Sequence, residues 1–469
     1  MSMPRPEVRR PLYVHIYSER ERTRTRLRLR HTSTFLSCTR AATRRFGADY
    51  LSYCAGVGWD ADDAQREEWE ENLHWWLEEC DTLQGFHILA DTDTAFGAIA
   101  TDVCARLRDD FPRTPFVLAG AAPNRRGRTP PQQRMHASSE AISLAALAAL
   151  ANVYTPIHGP RAGESLSMPE HMRDLAEDPS FFRTAALAAS ALDTATLPWR
   201  LRRKPGESVE LLSRTAALFH GHSVAALQAY MPVPAVGSAE LEAERARARA
   251  AGRDEALVSG VDLRAWLARR GAPLRLSPYN GPKRGKLPPT AMGVGMGKEW
   301  TQTERAKWDL PWDRGTGDHH IYTQAVALRG LAEEAEVDTL REVMQREQME
   351  SVRDFQGGMQ VHAVRTPLPV PVAFPPRLFA ATVGRHGDVG SALEHPVEPA
   401  CVKQMTALQA SGSLAPWMAS MGDALLMRDG SDAAAYAQVN LGQDERQELR
   451  EKMLTLLDSY EPDDDSGDE

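Results

Sequence analysis

The residues of this chain best placed for chemistry are those of DTDTAFG, Asp91 to Gly97, inside the stretch ECDTLQGFHILADTDTAFGAIATDVCARLRDDFP. That stretch reads as strand, loop and helix, the geometry of a phosphate cradle. Such a cradle works because glycines let backbone N–H groups approach the anion while a helix N-terminus adds a favourable dipole. Asp91, Thr92, Asp93, Thr94, Ala95, Phe96 and Gly97 are therefore the candidate cofactor-binding residues, read as a vestigial phosphate loop. Only Gly97 stands where a cradle needs several glycines, and Asp91 and Asp93 bring carboxylates that repel phosphate at close range. Asp93 or Thr94 has a simpler use as the N-cap of the following helix. A magnesium ion between the carboxylates and a phosphate is the arrangement that would restore nucleotide binding. No cofactor is expected, with a nucleotide as the alternative.

Ser223 offers a second chemistry. In FHGHSVAAL, Phe219 to Leu227, it lies between Gly221 and Ala225 with the spacing of a nucleophile elbow. A serine hydrolase would then need an acid and a histidine downstream, and His319, His362 and His386 come in the right order. The decisive feature is local, because an elbow sits between a strand and a helix. His220 with His222, and His319 with His320, lack nearby cysteines or a carboxylate at ligand spacing, so no metal is expected. GVGMGK, Gly293 to Lys298, lacks the spacing of a P-loop and reads as a turn. Cys38, Cys54, Cys80, Cys104 and Cys401 form no CxxC pair and too sparse a set for a disulfide framework, which fits a reducing compartment. No catalytic residue is assigned, and a non-enzymatic protein is expected.

The elements that must position the Asp91 loop are legible from periodicity. Trp69, Leu73, Trp76, Leu77 and Cys80 recur at the spacing of one buried helical face, with glutamates elsewhere. GFHILA is short and apolar, as a buried parallel strand is. Phe96, Ile99, Val103 and Leu107 repeat at helical spacing up to Pro112, and PFVLAGAAP reads as the next strand. Helix, strand, helix, strand is the doubly wound order, in which ligands meet the carboxyl ends of strands. AISLAALAALA, Ala141 to Ala151, is a buried helix rather than a membrane span, which needs about 20 apolar residues.

Composition narrows the class. The chain has 469 residues with 42% apolar and 25% charged side chains, enough for a sizeable core in two or three domains. No secretory signal or span is expected, which points to an intracellular protein at most peripheral to a membrane. The net charge of -9 is unevenly spread: arginines crowd the first 45 residues and carboxylates the last dozen. In RTRTRLRLR, Arg22 to Arg30, alternation puts every arginine on one face of a solvated edge strand, and without interleaved aromatics no nucleic-acid partner is expected.

ECDTLQGFHIL, its loop, a helix ending in RDDFP and a strand ending in AAP resemble the tubulin superfamily, in which a Cys-x-x-Leu-Gln-Gly-Phe segment runs into the phosphate loop. More narrowly the chain resembles the Misato family, supported by ALDTATLPWRL at Ala191 to Leu201, YTQAVALRG at Tyr322 to Gly330 and the final DERQELREKMLTLLDSYE. The resemblance implies a tubulin/FtsZ-like doubly wound parallel sheet with a second α/β carboxyl-terminal domain. It departs at the start, since MSMPRPEVRRPLYVHIY contains no Gly-Gln-x-Gly loop and is read as lacking the opening strand, which would leave the sheet without its first strands. It also implies a role in mitochondrial distribution, morphology and inheritance, with links to spindle and microtubule organisation. Protein partners at the mitochondrial surface or cytoskeleton are expected, with the chain cytoplasmic and peripheral on the mitochondrial outer membrane. A GTP-binding switch or polymer-former is the alternative.

Along the chain this organisation reads as a basic divergent segment at 1–64, the tubulin-like domain at 65–230 and a charged, Gly/Pro-rich insertion at 231–315. A carboxyl-terminal α/β domain at 316–456 and an acidic tail at 457–469 complete it. EAERARARAAGRDEAL is expected as an exposed helix or insertion, and PLPVPVAFPP as an extended connection.

Overall fold

The computed structural model describes residues 13–18, 33–35, 52–57, 63–78, 80, 83–122, 129–158, 181–200, 209–231, 246, 250, 274–277, 321–330, 358–371, 374–375, 378–379, 383–385, 398–425 and 443–460. The arginine run at 22–30, the glycine run at 293–298, nearly all of the EAERARARAAGRDEAL stretch and the acidic residues 461–469 lie outside them. Among the described residues the order is β1 (Tyr13–Ser18), β2 (Ser33–Phe35), a 3₁₀ turn (Tyr53–Gly56), α1 (Asp63–Glu78), β3 (Leu83–Asp91), α2 (Ala95–Asp110), β4 (Phe116–Ala122), α3 (Pro130–Leu150) and β5 (Val153–His158). Then come α4 (Phe181–Arg200), α5 (Val209–Leu218), β6 (Ala226–Tyr230), β7 (Leu274–Arg275), β8 (Ile321–Arg329), β9 (Met359–Val364), β10 (Leu368–Pro369), β11 (Cys401–Val402), β12 (Gln404–Ser411), α6 (Ala415–Leu425) and α7 (Gln443–Asp458).

The chain folds into two units that are interleaved in sequence. One comprises 1–155, 202–224 and 418–459, the other 156–201, 225–417 and 460–469. The contiguous stretches 65–230 and 316–456 drawn from the sequence each contribute to both, because the chain leaves the first unit within β5 and returns to it twice.

The first unit is built on a sheet of order β2-β1-β3-β4-β5. β3 and β4 run parallel, Phe86 opposite Phe116 and Asp91 opposite Ala121, and their middles are buried, which is why GFHILA and FVLAG are apolar runs rather than alternating ones. The expectation that the opening strand is missing is corrected here: β1 lies beside β3, pairing antiparallel from Tyr13 opposite Leu89 to Ser18 opposite Leu83. The β-branched and aromatic residues of YVHIYS suit a strand, and strand formation needs no glycine loop after it. Two glycines allow close approach. A Cβ on Gly85 would fall 2.3 Å from Leu212 of α5, and one on Gly120 2.4 Å from the Tyr154 hydroxyl. Phe86 packs edge-on to Phe116 at 5.0 Å between ring centroids. The single Arg108 guanidinium ties the far end of the layer together. It donates to the carbonyls of Leu150 and Thr114 and to Asn152 Oδ1, and covers the Phe116 ring at 4.0 Å. On α1, Trp69 and Leu73 are buried as the periodicity requires, while Trp75 is 54% exposed.

The second unit holds a sheet of order β7-β6-β12-β8-β9, antiparallel except for the β8–β9 pair. β12 is central and buried at every residue. α4 packs on it and carries the polar groups that register helix against sheet: Thr194 donates to Gln404 Oε1 at 2.6 Å, and Gln404 Nε2 donates to Ser190 at 3.4 Å. Asp193 on the same helix receives Arg329 from the end of β8 and Arg200 from its own last turn. Arg329 is nearly buried and also donates to the Thr366 carbonyl at 3.2 Å. Arg200 further donates to the Asp193 carbonyl at 2.7 Å, helping a helix end that carries Pro198 inside it. The ALDTATLPWRL and YTQAVALRG stretches thus meet in one ion-paired joint.

Burial pushes the Asp193 carboxyl up, but Arg200 and Arg329 outweigh it and hold the group below its ordinary value. A folded pKa below the unfolded one makes the joint's contribution complete above the ordinary Asp range and lost as pH falls through the folded value. Asp193 is 40% exposed, so solvent screening reduces the effect to about 1 kcal/mol. Asp193→Asn is expected to lower the melting temperature at pH 7 by about 2–4 °C, with the wild-type and variant curves converging as pH falls below the ordinary Asp range in a circular dichroism melt series.

Candidate functional site

The loop from Asp91 to Gly97 leaves the carboxyl end of β3 and enters α2, where the doubly wound order places it. Thr94 is the N-cap of α2, with extended backbone at φ -141° and ψ -170°, and its hydroxyl accepts the Phe96 N–H at 3.3 Å. The neighbouring donors are also engaged. Gly97 N–H donates to the Thr94 carbonyl at 3.1 Å, and Thr92 N–H to the Ala121 carbonyl at 3.0 Å. Every residue from Thr92 to Ala100 is buried, Asp93 completely.

α3 supplies the side chains that hold the loop in this state. His136 and Ser143 reach the loop, and Ser139 between them reaches the turn that covers it. His136 Nδ1 lies 2.6 Å from the Asp93 carbonyl and 3.2 Å from its carboxylate Oδ2. A carbonyl oxygen can only accept, so Nδ1 carries the proton and donates it to that carbonyl, with the carboxylate close beside. Ser143 Oγ donates to the Thr92 carbonyl at 2.7 Å. The hydroxyl of Thr92 meets Tyr154, whose phenol is pushed up by burial and by the charge of Glu140 while the Thr92 contact opposes the shift. Gly97, the one glycine of the loop, serves packing: a Cβ there would lie 2.1 Å from Ser143 Oγ and 3.1 Å from the Thr92 carbonyl, so it lets α2 close on α3.

The turn Tyr53–Gly56 covers the start of α2. Tyr53 N–H donates to Ser139 Oγ at 2.9 Å, and Tyr53 packs with Ala98 and Ile142, and against them lie Leu425 and Leu449. A Cβ on Gly56 would meet the Ala95 carbonyl at 2.0 Å, so the turn's backbone lies directly on the first residue of the helix. The loop therefore offers a nucleotide phosphate neither room nor spare donors at Thr92, Phe96 and Gly97, and its residues do not fit that group.

The other sequence candidates are dispersed. Ser223 follows α5 and a turn at Gly221, φ +87°, and precedes β6, so the order is helix, turn, strand, the reverse of a nucleophile elbow. Its hydroxyl donates to the Ala148 carbonyl at 3.2 Å and its carbonyl accepts Tyr154 N–H at 2.7 Å, both structural links. His319 and His386 lie outside the described residues, and His362 stands in β9. His220 is exposed, while His222 is half-buried and pulled down by burial against the raising effect of the Ser459 carbonyl. Among the described residues no group of three or more His, Cys, Asp or Glu is arranged to hold a metal. Burial pushes the Cys104 thiol up to about 12, more than the Arg108 charge lowers it, which removes it from thiolate chemistry. Sequence reasoning missed Tyr53, Gly56, His136, Ser139 and Ser143. For the three helix residues the signal was the His-x-x-Ser-x-x-x-Ser spacing, which puts three polar groups on one face.

Two substitutions test this anatomy. His136→Ala leaves the Asp93 carboxylate buried without its imidazole and is expected to cost about 2–4 kcal/mol in urea unfolding. Gly56→Ala forces the turn off the Ala95 carbonyl and is expected to cost about 1–3 kcal/mol. An unchanged midpoint in either variant would show that the loop is not held this way.

Residues 61–201 match the tubulin domain family model. Protein misato homolog 1 of Bos taurus is 24% identical over 424 residues, 85% of this chain and 63% of the relative. The protein of that name from Homo sapiens is 31% identical over 172 residues, 36% of this chain and 30% of the relative. Protein misato of Drosophila melanogaster is 29% identical over 164 residues, 33% of this chain and 28% of the relative. The chain thus spans less than two thirds of the length of these relatives. A tubulin domain match over residues 61–201 and a likeness along most of its length make this chain similar to the tubulin-related proteins named misato.

Proposed function

We propose that the chain is a non-enzymatic platform that uses a tubulin-like fold to bind other proteins, in the distribution, morphology and inheritance of mitochondria and in spindle or microtubule organisation. The biological setting rests on the family resemblance. The non-enzymatic part is carried by one observation: the loop that would seat a nucleotide phosphate is buried from Thr92 onward and occupied by the chain's own contacts from α3 and the Tyr53–Gly56 turn. A phosphate would have to displace the Asp93–His136 pair and the turn together, and would meet the buried Asp93 carboxylate as it arrived.

Its partners in this reading are proteins of the mitochondrial surface or the cytoskeleton rather than nucleic acid, and its place is cytoplasmic with peripheral attachment to the mitochondrial outer membrane. Among the described residues no helix is long and apolar enough to cross a membrane. Attachment would then use a protein receptor, or a basic surface drawn to anionic lipid.

Isothermal calorimetry of the folded chain with GTP and GDP, with and without magnesium, is expected to give no binding at millimolar nucleotide. Tight, magnesium-dependent binding would replace the platform by a nucleotide switch. Carbonate extraction of mitochondria carrying the chain is expected to release it, and retention in the pellet would overturn the peripheral assignment.

A further inference from the structure

We propose that Thr129 is a phosphorylation site for an ATP-dependent, proline-directed protein kinase, and that the modification tightens the α3 clamp over the Asp91–Gly97 loop. Thr129 stands in RRGRTPPQQ, with Pro130 after it and Arg125, Arg126 and Arg128 before it. Its side chain is exposed, whereas the other hydroxyls of the α3 region, on Ser138, Ser139 and Ser143, are buried. It is the hydroxyl there that another enzyme can reach.

The local conformation suits that enzyme. Thr129 has φ -66° and ψ 154°, the extended state that a following proline imposes. A Thr-Pro pair in this state enters a groove that binds extended peptide. Neither Pro130 nor Pro131 has a backbone N–H, so the first helical bond to be undone there is Gln133 N–H to the Thr129 carbonyl, at 2.9 Å. In the reaction Thr129 Oγ attacks the γ-phosphorus of ATP and the bond from that phosphorus to the β–γ bridging oxygen breaks. ADP leaves with that electron pair, and the hydroxyl proton passes to the kinase's base.

The product adds roughly two negative charges at the start of α3. It replaces a hydroxyl that donates to Gln132 Oε1 at 3.2 Å, within a capping box in which the same oxygen also accepts the Thr129 N–H at 3.0 Å. The helix dipole favours the new charge, and α3 is the helix whose His136, Ser139 and Ser143 hold the loop and the covering turn. The consequence rests on the platform reading above; the modification itself does not.

The full chain treated with a proline-directed kinase and ATP, then digested for mass spectrometry, is expected to carry phosphate on Thr129. Thr129→Ala should carry none at that position, Thr129→Ser should retain it, and Pro130→Ala should lose about tenfold, the equivalent of one recognition contact. The phosphorylated chain is expected to melt about 2–4 °C above the mock-treated one, with no such rise in Thr129→Ala. An unmodified Thr129 overturns the site. A phosphorylated Thr129 with an unshifted or lowered melting temperature overturns the clamp. Nucleotide binding by the unmodified chain would sink the platform and leave the site standing, so the two failures are separable.

Discussion

The imidazole of His136 is the constraint on which the rest of the loop depends. Its Nδ1–H donates to the Asp93 carbonyl, the Asp93 carboxylate lies 3.2 Å from the same nitrogen, and neither partner is exposed to solvent. A buried carboxylate is costly unless it is paired and hydrogen-bonded, so once Asp93 entered the loop a donor had to come from a neighbouring element. α3 is that element, and the same helix face adds Ser143 for the Thr92 carbonyl and Ser139 for the turn above. The loop, α2, α3 and the Tyr53–Gly56 turn are therefore one packed object. A change made for any one of them is felt by the others.

The strand, loop and helix thus keep their order with the loop's donors already engaged. In a working cradle the glycines leave backbone donors open for an anion. Here the donors of Phe96 and Gly97 are spent on Thr94, and the single glycine is used to bring α2 against Ser143. The second unit solves a similar problem with full charges. Arg329 and Arg200 converge on Asp193, while Thr194 and Ser190 engage Gln404 at the centre of β12. In both units a helix is registered against its neighbours by a few buried polar contacts inside an apolar interface. Apolar packing alone tolerates sliding, and directional bonds do not.

Much of the fold was legible along the chain. The apolar runs GFHILA and PFVLAG became β3 and β4, the Phe96-Ile99-Val103-Leu107 repeat became the buried face of α2, and Thr94, one of two named candidates, proved to be the N-cap. These are local properties, set by periodicity and capping chemistry within one or two turns. The opening strand was not legible. YVHIYS carries no loop motif to announce it, and its place beside β3 depends on pairing across some 70 residues of chain. The hydrolase reading of Ser223 failed for a related reason: a pentapeptide does not say which element precedes it, and helix α5 does.

The sequence by itself determined the element types, the tubulin-like order, the scarcity of glycine in the Asp91–Gly97 loop and the carboxylates that a phosphate would meet. Only the tertiary structure decided that the loop is filled. The groups that fill it, Tyr53 to Gly56 and His136 to Ser143, lie about 40 residues away on either side, and nothing in a linear reading weights those neighbours over any others. The same holds for the interleaving of the two units, since the chain passes out of the first within β5 and returns for α5 and again from within α6. Local periodicity can state that a segment is buried. What it is buried against is a matter of long-range packing, where the free energy is shared among contacts that the sequence does not order.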